Sequence, residues 1–133
     1  MTIWLCDTNV LSEPLRPAPN PAVVKWLSSL EAIAVSVITV EEVSAGLHHK
    51  RASKQIEWFN RFLTARCQII VVTWEVARLA GEMRGEFRRK GEQRAQADML
   101  IAATAKLHDV GIATRNVKAF AGCRVELRNP FKE

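Results

Sequence analysis

A three-layer α/β/α sandwich around a mainly parallel sheet is the fold class this sequence predicts, and three observations carry it. Short apolar runs of four or five residues recur along the chain. Those near the N-terminus and in the middle are continuous rather than alternating, the pattern of strands buried on both faces. Segments with helical apolar spacing lie between them, so the order reads as successive βα units.

The elements follow in order. Ile3 to Cys6 in "TIWLCDTNVLSEP" form the first strand, and Asp7, Thr8 and Asn9, residue types that begin turns and cap helices, follow at once. The cluster of four prolines in "PLRPAPNP" predicts a surface connection into a helix beginning near Asn20, with Pro21 in its first turn. Ile33 to Val37 give a second strand, after which Thr39 is expected to cap a helix carrying Glu41 and Glu42 in its first turn. In "KQIEWFNRFLTA", Ile56, Phe59 and Leu63 share one helical stripe with Trp58 and Phe62 beside it, ahead of a strand in "CQIIVV". "WEVARLAGEMRGEFRRKG" is an amphipathic helix with a basic tail, Arg84 to Lys90, ended by Gly91. A further helix covers about Ala95 to His108, its alanines offering a face for close packing. "VGIATRN" gives a strand ending at Thr114, and "RVELRNP" a last one. One domain spanning 1–133, without linkers, is expected.

Composition narrows the function classes. A hydrophobic fraction of 48% fills one core, and no apolar stretch reaches the roughly 20 residues of a membrane span. The start of the chain lacks a signal-peptide pattern, so a cytoplasmic protein is expected. Cys6, Cys67 and Cys123 are odd in number and widely spaced, which favours buried free thiols over disulfides or zinc. Lys plus Arg exceed Asp plus Glu by 19 to 14, a balance that suits a polyanionic partner without demanding one.

The acids carry the chemistry. In a parallel sheet, Asp7, a glutamate of the Glu41–Glu42 pair, Asp98 and Asn116 can reach one crevice at the strand ends, where such folds bind ligands. Each acid taken alone has a plainer use: Asp7 as a helix cap, the glutamates as favourable charges at a helix N-terminus. Asp98 is harder to dismiss, because "AQADMLIAATA" is otherwise built for burial and a buried acid needs a partner. Three carboxylates gathered together repel one another unless a cation sits among them. The suitable ion is Mg²⁺ or Mn²⁺, with hard oxygen ligands at about 2.1 Å, and such a site suits phosphodiester hydrolysis. His48 and His49 are not needed and are expected on a solvated helix end.

"CDTNVLSEPLRP", "SVITVEEVSAGL", "AQADMLIAATAKLH" and "IATRNVKAF" together resemble, in order and spacing, the successive motifs of PIN-domain ribonucleases, in particular the toxin halves of VapBC- and FitAB-type toxin-antitoxin pairs. The resemblance implies an α/β/α endoribonuclease dependent on Mg²⁺ or Mn²⁺ and held inactive by a cognate antitoxin. It matches Asp7, Glu42 and Asp98 to the acidic metal ligands and selects Glu42 over Glu41. Asn116 falls where many members carry a fourth acid; with one charge fewer, a permanent second metal site is in doubt. Thr8 and Thr114 match hydroxyl partners of the site. The resemblance also implies a homodimer, and an antitoxin whose DNA-binding N-terminus is followed by a tail bearing arginine.

The surroundings complete the expectation. Arg84, Arg88, Arg89, Lys90 and Arg94 precede Asp98, and Arg115 neighbours Asn116; they guide RNA or form an ordinary solvated face. Trp4, Trp26, Trp58 and Trp74 each lie in an apolar run and are expected in the core, any exposed ring serving a dimer or antitoxin contact. A receiver-like module, or a catalytically silent binding module with the same fold, is the alternative reading. The receiver signature, an acidic pair after the first strand and an acceptor aspartate after the middle one, is missing.

Overall fold

The computed structural model describes residues 2–132. Three buried apolar residues make β1 (Trp4–Cys6) the centre of the sheet. Asp7 ends it and caps the single-turn α1 (Thr8–Leu11), its side chain accepting from the Thr8 amide. Asn20 caps α2 (Pro21–Ser29) in the same way, with proline at the first turn as the sequence predicts. Next come β2 (Ile33–Ser36), α3 (Val37–His49), α4 (Ser53–Arg66) and β3 (Cys67–Ile70). After them α5 (Trp74–Arg89), α6 (Gln96–His108), β4 (Gly111–Ala113) and β5 (Leu127–Arg128) complete the regular elements.

The strands run in the order β3-β2-β1-β4-β5, every pair parallel. The chain therefore builds outward from β1 through β2 to β3, then crosses over α5 and α6 to lay β4 on the other side of β1. The order reverses beside β1, and the crevice that a parallel sheet offers to ligands opens at its carboxyl end. Alternation along β1 sends Leu5 to one face and Trp4 and Cys6 to the other. Leu5 packs with Met99, Ile101 and Ala102 beneath α5 and α6; Cys6 packs with Val10, Leu27, Val43 and Phe59 beneath α1 to α4. Trp4 stands opposite Gly111 in register, and a Cβ at Gly111 would lie 2.5 Å from the indole ring, so only glycine lets β4 close on β1 there.

Five expectations need correction. Ser36, not Thr39, caps α3, accepting from the Ile38 amide. The sheet pairing of β2 ends at Ser36 opposite Ile70, so the chain is free to turn three residues earlier than predicted. Thr39 is then buried inside the helix, its hydroxyl without a hydrogen-bond partner among the described residues, and Glu41 and Glu42 fall in the second turn. For the same reason β3 stops at Ile70, and Val71 and Val72 leave the sheet. Trp74 is 69% exposed, because β3 is an edge strand with no further strand among the described residues to cover the start of α5; Arg78, one turn on, lies over its ring instead. Trp58 also reaches the surface, stacked on Phe62, while Trp4 is buried and Trp26 half-buried against it.

All three thiols are free; Cys6 and Cys123 are buried and Cys67 is half-buried. His48 and His49 lie in the last turn of α3, where the sequence places them. Among the described residues no helix is long and apolar enough to cross a membrane.

Candidate active site at the carboxyl ends of β1 and β4

The backbone brings the first two partners together. The Asp7 amide donates to the Ala113 carbonyl, which ties the end of β1 to the end of β4 and sets Asp7 beside Thr114. Asp7 then accepts the Thr114 hydroxyl at 2.8 Å on Oδ2, the Thr8 amide at 2.8 Å on Oδ1, and the Asn9 side-chain amide at 3.3 Å on Oδ2. The Thr114 hydroxyl in turn accepts the Asn116 amide at 3.0 Å, placing that exposed asparagine at the edge of the site.

Glu42 joins from the second turn of α3: the Thr8 hydroxyl donates to its Oε1 at 2.7 Å. Glu41 and Glu42 are both exposed, and it is Glu42 that is tied to α1. Asp98 arrives in the first turn of α6, half-buried. Asp7 and Glu42 thus meet through Thr8 at one end of the sheet, and Asp98, from a third βα unit, lies near enough for both charges to act on it.

Electrostatics records the proximity. Burial pushes the Asp7 carboxyl above the usual carboxylate range, and the Glu42 charge adds to the shift, against the three hydrogen bonds that favour the ionised form. Asp98 is raised in turn by burial and by the charges of Asp7 and Glu42, and Arg94 opposes this. The donor set is all oxygen and all hard, the kind a Mg²⁺ or Mn²⁺ ion takes, and the mutual repulsion is what a divalent cation relieves. Among the described residues no group of three such side chains is placed to hold a metal ion as it stands. The residues fit the group in kind and in charge.

Asn9 is the participant that sequence reasoning passed over. Besides donating to Asp7, it accepts the Arg115 amide at 2.8 Å, so one side chain latches the turn after β1 to the turn after β4. Its position two residues after an acid at a strand-to-helix junction is the available signal.

The basic residues divide into separate roles. Arg94 is committed: it donates to the carbonyls of Ala119 at 3.1 Å and Ala121 at 2.8 Å, pairs with Glu92, and lies 3.9 Å over the Phe87 ring. Arg115 covers Phe131, and Arg89 pairs with Glu86 on the surface. Arg84 and Arg88 line a cavity of about 280 Å³ together with Arg94. On the other side of the site a groove of about 680 Å³ starts at Thr8 and Glu42 and continues past Leu15, Val43 and Leu47 toward Gln55.

Comparison with known proteins gives a consistent result. The family model for the PIN domain matches residues 4–121. Toxin FitB of Neisseria gonorrhoeae is 37% identical over 97% of this chain and 99% of its own. Ribonuclease VapC10 of Mycobacterium tuberculosis is 33% identical over 96% of this chain and 92% of its own. The crystal structure of FitAcB from Neisseria gonorrhoeae superposes with a TM-score of 0.84 at 36% identity, covering 98% of this chain and all of that one. These matches favour the nuclease fold over a receiver module. With a family model spanning most of its length and relatives alike from end to end, the chain belongs to the PIN-domain family.

Proposed function

We propose that the protein is a metal-dependent endoribonuclease, the toxin of a toxin-antitoxin pair, that hydrolyses RNA phosphodiester bonds at the Asp7–Glu42–Asp98 site. The observation that carries this reading is the electrostatic one. Burial raises the proton affinity of Asp7 and Asp98, and the neighbouring carboxylate charges, Glu42 among them, raise it further, an arrangement that a cation would relieve. The ribonuclease and toxin names of the relatives support the same reaction class.

Under this reading Asp7, Asp98 and Glu42 hold Mg²⁺ or Mn²⁺. An ion held there would lower the pKa of a bound water and polarise the phosphoryl oxygen. The protein's own work is orientation. Thr114, the Thr8 amide and Asn9 fix the plane of the Asp7 carboxylate, and the Thr8 hydroxyl holds Glu42 toward α1. Asn116 adds a neutral carbonyl oxygen at the edge, suited to one ion better than to two.

Inhibition follows from the groove beside Thr8 and Glu42. A cognate antitoxin peptide lying along its apolar lining would bring an arginine to the acids, and a guanidinium satisfies carboxylates that otherwise await a metal. The exposed Trp58 and Trp74 offer apolar surface for a homodimer contact.

The test is incubation of purified protein with RNA, with Mg²⁺ or Mn²⁺ added and then with chelator. Cleavage that requires the ion and is lost in Asp98→Asn supports the reading. Cleavage that survives chelation, or is equal in Asp98→Asn, overturns it; the absence of cleavage under every condition favours a catalytically silent binding module.

A further inference from the structure

The cavity of about 280 Å³ beside the site is built from charge. Its lining brings Arg84, Arg88 and Arg94 together with Gln93 and Gln96, against the carboxylate of Glu92, which already pairs with Arg94. Arg84 is half-buried, and its Nε is enclosed with no hydrogen-bond acceptor among the described residues. That enclosed N–H holds the guanidinium against the protein at a cost, and it is the cavity lining by three arginines that calls for an anion. Arg94, fixed by two backbone carbonyls and the Phe87 ring, forms a rigid wall rather than a mobile ligand.

The position of the cavity selects its occupant. Ala95 and Gln96 line it and form the start of α6, and Ala95 has no side chain able to cap the first-turn amides. Asp98 stands in that same first turn, about 3 Å further along the helix axis. A cationic cavity and a metal-seeking carboxylate thus share one helical turn, and a polyanionic strand crossing from one to the other meets both.

We infer that this cavity holds an RNA backbone phosphate flanking the one being cleaved, Arg84 and Arg88 supplying the charge and Arg94 the wall. The inference rests on the ribonuclease reading above. It assigns different tasks to residues that the sequence presents as one basic run: Arg84 and Arg88 touch the substrate, Arg94 positions the α6 entrance, and Arg89 stays on the surface.

The test measures binding without chemistry: a labelled single-stranded RNA of mixed sequence, titrated in chelator at several salt concentrations with the full-length chain. Removing one phosphate interaction flattens the slope of log K against log salt by about 0.7. Arg88→Gln, at an exposed position, is expected to bind several-fold more weakly and with a slope flatter by that amount. Arg84→Gln/Arg88→Gln, checked for folding by circular dichroism, should weaken binding further while flattening the slope by no more than that one-phosphate amount, because both side chains meet the same phosphate. Arg61→Gln on α4 serves as the control and should leave the slope unchanged.

A slope in Arg88→Gln equal to that of wild type, with wild type binding RNA, overturns the phosphate site and leaves the ribonuclease reading standing. A wild type that binds no RNA overturns both. A polyglutamate peptide provides the remaining arm: if Arg88→Gln loses the peptide but keeps the full RNA slope, the cavity is a docking site for an acidic protein segment and the proposal is wrong.

Discussion

Asp7 and Glu13 lie six residues apart, are 6% and 4% exposed, and answer to different physics. Glu13 accepts the Asn20 amide at 2.8 Å and faces Arg16, so its burial is settled by a donor and a cation from its own loop. It ties down the proline-rich connection into α2. Asp7 has more hydrogen bonds than Glu13, yet burial raises its proton affinity and the Glu42 carboxylate adds to the rise. Burial alone therefore does not mark a functional acid. The sign of the charges around it does.

Substitution at the two acids should separate these roles. The largest effect belongs to the site: Asp7→Asn or Asp98→Asn is expected to reduce ion-dependent RNA cleavage by about a hundredfold or more, while the circular dichroism spectrum is kept. Equal cleavage by wild type and both variants would refute their assignment. At the structural acid the outcome reverses. Glu13→Ala leaves the Asn20 amide without its acceptor and should cost about 1–3 kcal/mol of folding stability, read by denaturant unfolding. Its cleavage rate per folded molecule should match wild type, and a lost rate with unchanged stability would place Glu13 in the wrong class.

Smaller effects sharpen the contrast. Asn116→Asp restores a fourth charge, so calorimetry should find tighter binding of a second divalent ion; unchanged stoichiometry and affinity would count against Asn116 as a site residue. Acidity should act on the same cluster. The Asp98 carboxyl is raised in the folded chain, so its contribution to stability is fully present below its unfolded pKa and is lost as pH rises through the folded one. In chelator, Asp98→Asn should therefore melt above wild type at neutral pH, with the gap closing as the solution is acidified. A gap independent of pH would mean that the buried, repelled charge of Asp98 is not what destabilises the metal-free protein.

Much of this fold is legible in the sequence, for reasons that residues make plain. Continuous apolar runs give β1, β2 and β4 because a strand covered on both faces has no polar alternation. Asn20 followed by Pro21 is an unambiguous helix start, and the structure uses it. In "VSVITV" the helix start is ambiguous: Ser36 and Thr39 are both capping residues, and the choice depends on where pairing with β3 ends, which is a tertiary fact. Trp74 departs from expectation because an apolar residue at a helix start reads the same whether or not a neighbour covers it. The three acids are readable as a set because strand-to-helix junctions in a parallel sheet share one end. The division of the arginines is not, since it rests on carbonyls of Ala119 and Ala121 that the sequence leaves about 25 residues away from Arg94.

The hydrogen bond from Thr114 to Asp7 joins residues 107 apart in the chain. During synthesis, a nascent chain that has emerged only through α6 carries Asp7, Glu42 and Asp98 but lacks the strand that pairs with β1 on its second side. Asp7 then has neither the Ala113 carbonyl to anchor its backbone nor the Thr114 hydroxyl to orient its carboxylate. The proposed nuclease is thus completed only when β4 folds onto β1, and a chain translated no further than α6 carries all three acids with Asp7 still unset.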